Sequence, residues 1–148
     1  MQTSDYSPYP CAQRFLLRVN RLNELIACKR AFIRAMESRV GSTDLGCRVT
    51  GSAPADRTAY MALKISELQE EVEALQRQRS LAHTQIARMA QRMPNPRLTC
   101  LLEMRYLSCL TWETISAAMH LTLRTVMRQH TRALRLVEYY LAAEEGGE

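Results

Sequence analysis

Four arginines near the C-terminus stand at spacings that chemistry can use. Arg124, Arg128, Arg132 and Arg135 lie between Leu121 and Val137, interleaved with Thr125 and Gln129 and with no acid among them. On a helix they share one side, while Val126, His130, Ala133, Leu134 and Val137, spaced 4, 3, 1 and 3, form the other. A guanidinium fork can donate two hydrogen bonds to guanine, a carboxamide pairs likewise with adenine, and arginine also fits phosphate. The chemistry expected is therefore contact with duplex DNA. Arg124, Arg128 and Gln129 would lie at base edges, and Arg132 and Arg135 at the backbone. His130 reads as a packed imidazole on the inner side.

Those side chains need a helix held at a fixed angle, and the preceding residues supply one. Thr122 is an N-cap for a helix from Leu123 to about Ala142, and its hydroxyl can serve as cap or phosphate contact. Thr111 caps a shorter helix over about 112–119, with Thr114 at its third position, a partial capping box without Glu or Gln. His120-Leu121 is the turn between them. A further helix over about 97–107 presents Leu98, Leu101, Leu102 and Tyr106 inward, and Ser108-Cys109 connects it to Thr111. Two helices of these lengths around so short a turn have the size of a helix-turn-helix.

Upstream, Met61, Ile65, Leu68, Val72, Leu75, Arg79, Ala82, Ile86, Met89 and Met93 repeat at 4, 3, 4, 3, the seam of a left-handed coiled coil. Asp56 is the expected N-cap of that helix, over about 57–93. A partner helix over about 12–38 offers Val19, Leu22, Leu25, Ile26, Phe32, Ile33 and Met36. Together they predict an antiparallel hairpin over 12–93. Gly41, Gly46, Gly51 and Pro54 mark a loop over 38–56, and Met93-Pro94-Asn95-Pro96 ends the second helix. At 1.5 Å per residue the helices measure roughly 40 and 55 Å. The second overhangs the first, and its seam needs either the C-terminal block or a second copy, hence an expected homodimer. Residues 1–11 read as a flexible tail, 97–142 as the DNA-binding domain and 143–148 as an acidic tail. The fold class is all-α.

The 148 residues carry 20 basic against 15 acidic side chains, and only Lys29 and Lys64 are lysines. The first helix is itself basic, with Arg14, Arg18, Arg21, Lys29, Arg30, Arg34 and Arg39, and reads as a solvated face or an auxiliary phosphate contact. Apolar residues make up 47% but aromatics only 6%, which favours helices filled with Leu, Met and Ala over a turn-rich β-fold. No apolar run reaches the roughly 18 residues of a membrane span. No signal peptide is evident, so a cytoplasmic location is expected. Cys11, Cys28, Cys47, Cys100 and Cys109 form no CxxC pair and read as small buried side chains. The sequence offers no metal spacing, glycine-rich phosphate loop or paired nucleophile and base. No catalysis and no cofactor are therefore expected.

One family resemblance is specific. Leu102–Tyr106, Leu110-Thr111-Trp112-Glu113-Thr114-Ile115, Leu121-Thr122, Thr125-Val126 and Arg132-Ala133-Leu134 resemble region four of bacterial sigma factors, over about residues 97–138. With the hairpin ahead of it, the chain resembles small phage and prophage transcriptional regulators with a sigma-like C-terminus, such as the late-gene activators of Gram-positive phages. The resemblance implies promoter binding and contact with RNA polymerase, with Arg124, Thr125, Arg128 and Gln129 at bases and Arg132 at the backbone. Cys109 and His120 replace the usual glycines of the two connections, and Ser116 a small apolar residue. No promoter-melting region is present. The alternatives are a response-regulator-type helix-turn-helix, a small-terminase-like packaging or assembly adaptor, and a coiled-coil interaction protein with a degenerate motif. The acidic end, Glu138 and Glu144 to Glu148, would keep the terminus solvated or touch polymerase.

Overall fold

The computed structural model describes residues 7–41 and 54–147. Every regular element among them is helical: α1 (Pro10–Leu16), α2 (Arg18–Gly41), α3 (Pro54–Gln91), α4 (Pro96–Leu102), a π-helical turn (Glu103–Leu107), α5 (Trp112–Met119) and α6 (Leu123–Glu145). The all-α expectation holds. No described helix is long and apolar enough to cross a membrane. Most of the loop expected over 38–56, together with Cys47, lies outside the described residues, as do residues 1–6 of the expected tail.

Two compact units divide the chain. One holds Leu22–Arg79; the other holds the residues up to Arg21 and from Ser80 on. In the Leu22–Arg79 unit, Ile26 and Ile33 of α2 bury against Leu68 and Val72 of α3, flanked by Met36, Ile65 and Leu75. The Lys29 ammonium meets Glu71 at 2.6 Å and Arg79 donates to Asn23 at 3.0 Å, so the two segments run antiparallel. The apolar face expected on α2 is narrower than its sequence suggests, because Leu25 and Phe32 are each 49% exposed. A single partner helix covers a seam with seven-residue spacing, as from Ile26 to Ile33, and leaves the flanking apolar positions outside. Asp56 is not the cap of α3. The helix starts at Pro54, and Asp56 sits in its first turn, where a carboxylate complements the helix dipole.

The other unit explains the length of α3. Ala82, Ile86, Met89, Ala90 and Met93 are all buried, and the last turns of α3 are tied to the C-terminal block. Thr99 donates to the Ala90 carbonyl at 2.8 Å, and the Arg92 guanidinium lies 4.4 Å from the centre of the Tyr140 ring and pairs with Glu144. The Pro94-Asn95-Pro96 break works as expected: Asn95 caps α4 by accepting from the Arg97 amide at 2.9 Å, with proline at the first turn. The helix expected over 12–38 breaks at Leu17, where ψ opens to 0°, leaving α1 as a separate short helix. Residues 10 and 11 belong to α1, not to a tail. Tyr9 gives α1 no side-chain cap; the Glu138 carboxylate of α6 accepts from the Ala12 amide at 2.6 Å instead. Glu138 is therefore a structural partner of α1 rather than part of a solvated acidic end, and its charge pushes the Cys11 thiol above its ordinary pKa.

The cysteines depart from expectation. Cys11, Cys28 and Cys109 are exposed and Cys100 is half-buried.

Candidate nucleic-acid interface

The first expected C-terminal helix is α-helical only to Leu102; it then widens into the π-turn, where the Ser108 amide reaches back five residues to the Glu103 carbonyl at 3.0 Å. Cys109 follows in a left-handed conformation, φ 55°, and fills the role expected of glycine. The turn directs Arg105 toward the start of α5. Its guanidinium donates to the Leu110 carbonyl at 2.9 Å and lies 4.3 Å from the Trp112 ring centre.

Beyond Trp112 sits His130. Its ring meets the Trp112 edge with centroids 4.5 Å apart, and its Nε2 lies 2.6 Å from the Tyr106 hydroxyl. The imidazole is thus a packed core group, as the sequence suggested. Burial, reinforced by the positive charge of Arg105, lowers its pKa to about 4, and burial raises that of Tyr106 to about 12. Near neutral pH the imidazole is uncharged and shares a hydrogen bond with the tyrosine hydroxyl. A folded pKa below the unfolded value of 6.5 means that the unfolded chain binds the proton more readily. Stability is then full above pH 6.5 and falls as pH drops toward 4, by roughly 3 kcal/mol in all. Thermal melts across that range should show this decline, and His130→Gln, which still offers an acceptor, should flatten it.

Helices α5 and α6 begin alike. Thr111 accepts from the Thr114 amide and Thr122 from the Thr125 amide, both at 3.2 Å, and each pair of hydroxyls lies 2.8 Å apart. Threonine thus closes both boxes in place of Glu or Gln. Between the helices His120 adopts φ 55°, ψ 40°. The Leu121 amide bonds the Ser116 carbonyl at 3.1 Å and the His120 amide bonds the Ala117 carbonyl at 3.3 Å, a Schellman ending. Ser116, where the resemblance leads one to expect a small apolar residue, donates its hydroxyl to the Leu121 carbonyl and fastens the turn from inside. Leu101, Ile115 and Val126, all fully buried, form the core beneath it. His120→Gly should relieve the left-handed strain at some cost in unfolded-chain entropy. The net gain is about 0.5–1 kcal/mol, seen as a melting temperature raised by a few degrees.

On α6, Val126, Ala133, Leu134 and Val137 are buried and Arg124, Arg128, Arg132 and Arg135 exposed. At 100° per residue the four arginines occupy an arc of about 80°. Among the described residues none of them has a carboxylate in ion-pair range; the described ion pairs are Lys29–Glu71, Lys64–Glu67 and Arg92–Glu144. Arg128, Gln129, Thr131, Arg132 and Arg135 line a depression of about 400 Å³ along this face. Arg135 donates to the Tyr9 hydroxyl at 3.1 Å, which fixes its direction.

Two expected site residues are placed less freely. The Thr125 hydroxyl is engaged with Thr122, and the Gln129 amide oxygen is buried without a hydrogen-bond partner. Thr122 acts as the cap. The sequence did not point to Tyr9, Arg105 or Thr131. Tyr9 and Arg135 are 126 residues apart, so no local pattern joins them. Among the described residues no three His, Cys, Asp or Glu side chains gather as a metal site would require. Comparisons with protein-family models, functionally described proteins and solved structures find no match to this chain.

Proposed function

We propose that this chain is a sequence-specific DNA-binding transcriptional regulator, of the phage or prophage kind that its C-terminal motif resembles. In this reading α5, the His120-Leu121 turn and α6 act as a helix-turn-helix, with α6 in the major groove. The observation that carries it is the arginine arc of α6. Four exposed guanidinium groups, with no carboxylate in ion-pair range among the described residues, stand opposite a buried stripe, on a helix fixed by a capped, hydrogen-bonded turn.

A purely solvated helix face would be expected to mix both signs of charge. This one carries four positive groups and no acid over the span where a groove-binding helix meets DNA. Arg124 and Arg128, near the N-terminus of α6, are placed to address guanine edges. Arg132 and the Tyr9-oriented Arg135 address phosphates. Thr122 and Thr125 hold the start of the helix, and Gln129 flanks the reading face. Contact with RNA polymerase belongs to the same reading and rests on the sigma-like motif.

The test is selection from a random duplex pool, with the retained DNA sequenced and the mass of the complex measured by light scattering. Enrichment of one sequence by a monomer or dimer supports the regulator. Retention without preference, or a large ring, would contradict it and favour a packaging adaptor.

A further inference from the structure

The segment from Tyr9 to Arg21 is fastened to the elements of the DNA-binding reading at three points. Tyr9 accepts from Arg135 at 3.1 Å, Glu138 accepts from the Ala12 amide at 2.6 Å, and Cys109 Sγ lies 2.6 Å from the Asn20 side-chain oxygen. Ala12, Leu16 and Val19 form its inner edge and are at most 2% exposed. Arg14, Arg18 and Arg21 repeat the same 4, 3 spacing two residues later, which at helical pitch is the opposite side. Arg14 and Arg21 are exposed, and the half-exposed Arg18 holds its guanidinium 5.6 Å from the Phe15 ring centre. Among the described residues none of the three has an acid in ion-pair range.

We propose that Arg14, Arg18 and Arg21 form a second, phosphate-binding stripe that grips the DNA backbone beside α6, an inference that rests on the DNA-binding reading. Arg14 to Arg21 span eight residues at the junction of α1 and α2, about 10 Å, which matches the axial rise of about three base steps and so about three phosphates of one strand. Between the arginines stand Phe15, Leu16, Leu17 and Val19, which are apolar, and Asn20, whose side-chain oxygen is engaged by Cys109, so the stripe adds affinity without sequence preference. Its anchors lie on α6 itself and on the connection leading into α5, so the stripe travels with the reading helix. Only the first part of the basic N-terminal region takes this role; Lys29 is already paired with Glu71 in the Leu22–Arg79 unit.

The experiment compares the full chain with its Arg14→Gln/Arg18→Gln/Arg21→Gln variant by fluorescence anisotropy, on a random duplex and on the duplex enriched by selection, across a salt series. The variant should bind both more weakly by the same factor. Its plot of log affinity against log salt should be shallower by about 3, with the ratio between the two duplexes unchanged. If it melts earlier than the wild type, Arg14→Gln alone carries the test, with a slope change of about one. Wild-type affinity and slope in the variant would overturn this inference and leave the regulator reading standing. A wild-type chain that retains neither duplex would overturn both.

Discussion

Replacing Arg124, Arg128 and Arg132 together by alanine is expected to remove preferential DNA binding while leaving the fold unchanged. Each bidentate contact to a guanine discriminates by about 1–3 kcal/mol, so losing two such contacts costs roughly 2–6 kcal/mol on the preferred site. Taken singly the residues should behave differently. Arg128→Ala should weaken the preferred duplex and relax base choice at one position. Arg132→Ala should weaken all duplexes alike and make the salt dependence shallower by about one. Because the three side chains are exposed and among the described residues meet no acid, the melting temperature should hardly move, within about 0.5 kcal/mol per substitution. A binding titration and a thermal melt on the same samples separate lost contacts from lost structure.

Ile115→Ala should have the opposite signature. Ile115 is fully buried between Leu101 and Val126, where α5 meets α4 and α6. Truncation there removes buried methyl groups and leaves a cavity, at a cost of about 2–5 kcal/mol. Against a typical domain stability of about 5–15 kcal/mol, that is a large share of the total, so the unit should melt well below the wild type. Helicity followed by circular dichroism should show the early melt, and DNA binding should fall with it. Ile115→Val, at about 0.5–1.5 kcal/mol, should retain both fold and binding. Loss of binding by the alanine variant with an unchanged melt would mean that Ile115 acts on DNA directly, contrary to its burial.

What the sequence made legible was the local part of the structure. Thr111 and Thr122 satisfy helix-start amides three residues away, so the starts of α5 and α6 can be read to the residue. The His120 turn is local in the same way. The seam from Met61 to Met93 was readable because its period extends over many turns, but which partner covers each part of it was not. Leu25 and Phe32 share the periodicity of a buried face, yet a single partner helix leaves them outside.

The illegible features join distant residues. Glu138 capping α1, Tyr9 orienting Arg135, and Asn20 beside Cys109 link positions 89 to 126 residues apart. Arg105 reaches Trp112 because the π-turn shifts its direction, and no propensity marks that widening in advance. Of the expected site residues, the four arginines lie together on one exposed face. The Thr125 hydroxyl is engaged with Thr122 and the Gln129 oxygen is buried, placements that depend on the folded helix.

The central claim is that the arginine face of α6 reads bases in the major groove, and methylation interference tests it most directly. The enriched duplex is methylated at guanine N7, which projects into that groove, and the methylated positions are compared between bound and free DNA. For the wild-type chain, methylation of particular guanines should exclude DNA from the bound fraction, and Arg128→Ala should lose that sensitivity at one of them. Binding indifferent to N7 methylation, or an identical pattern in the variant, would contradict the account.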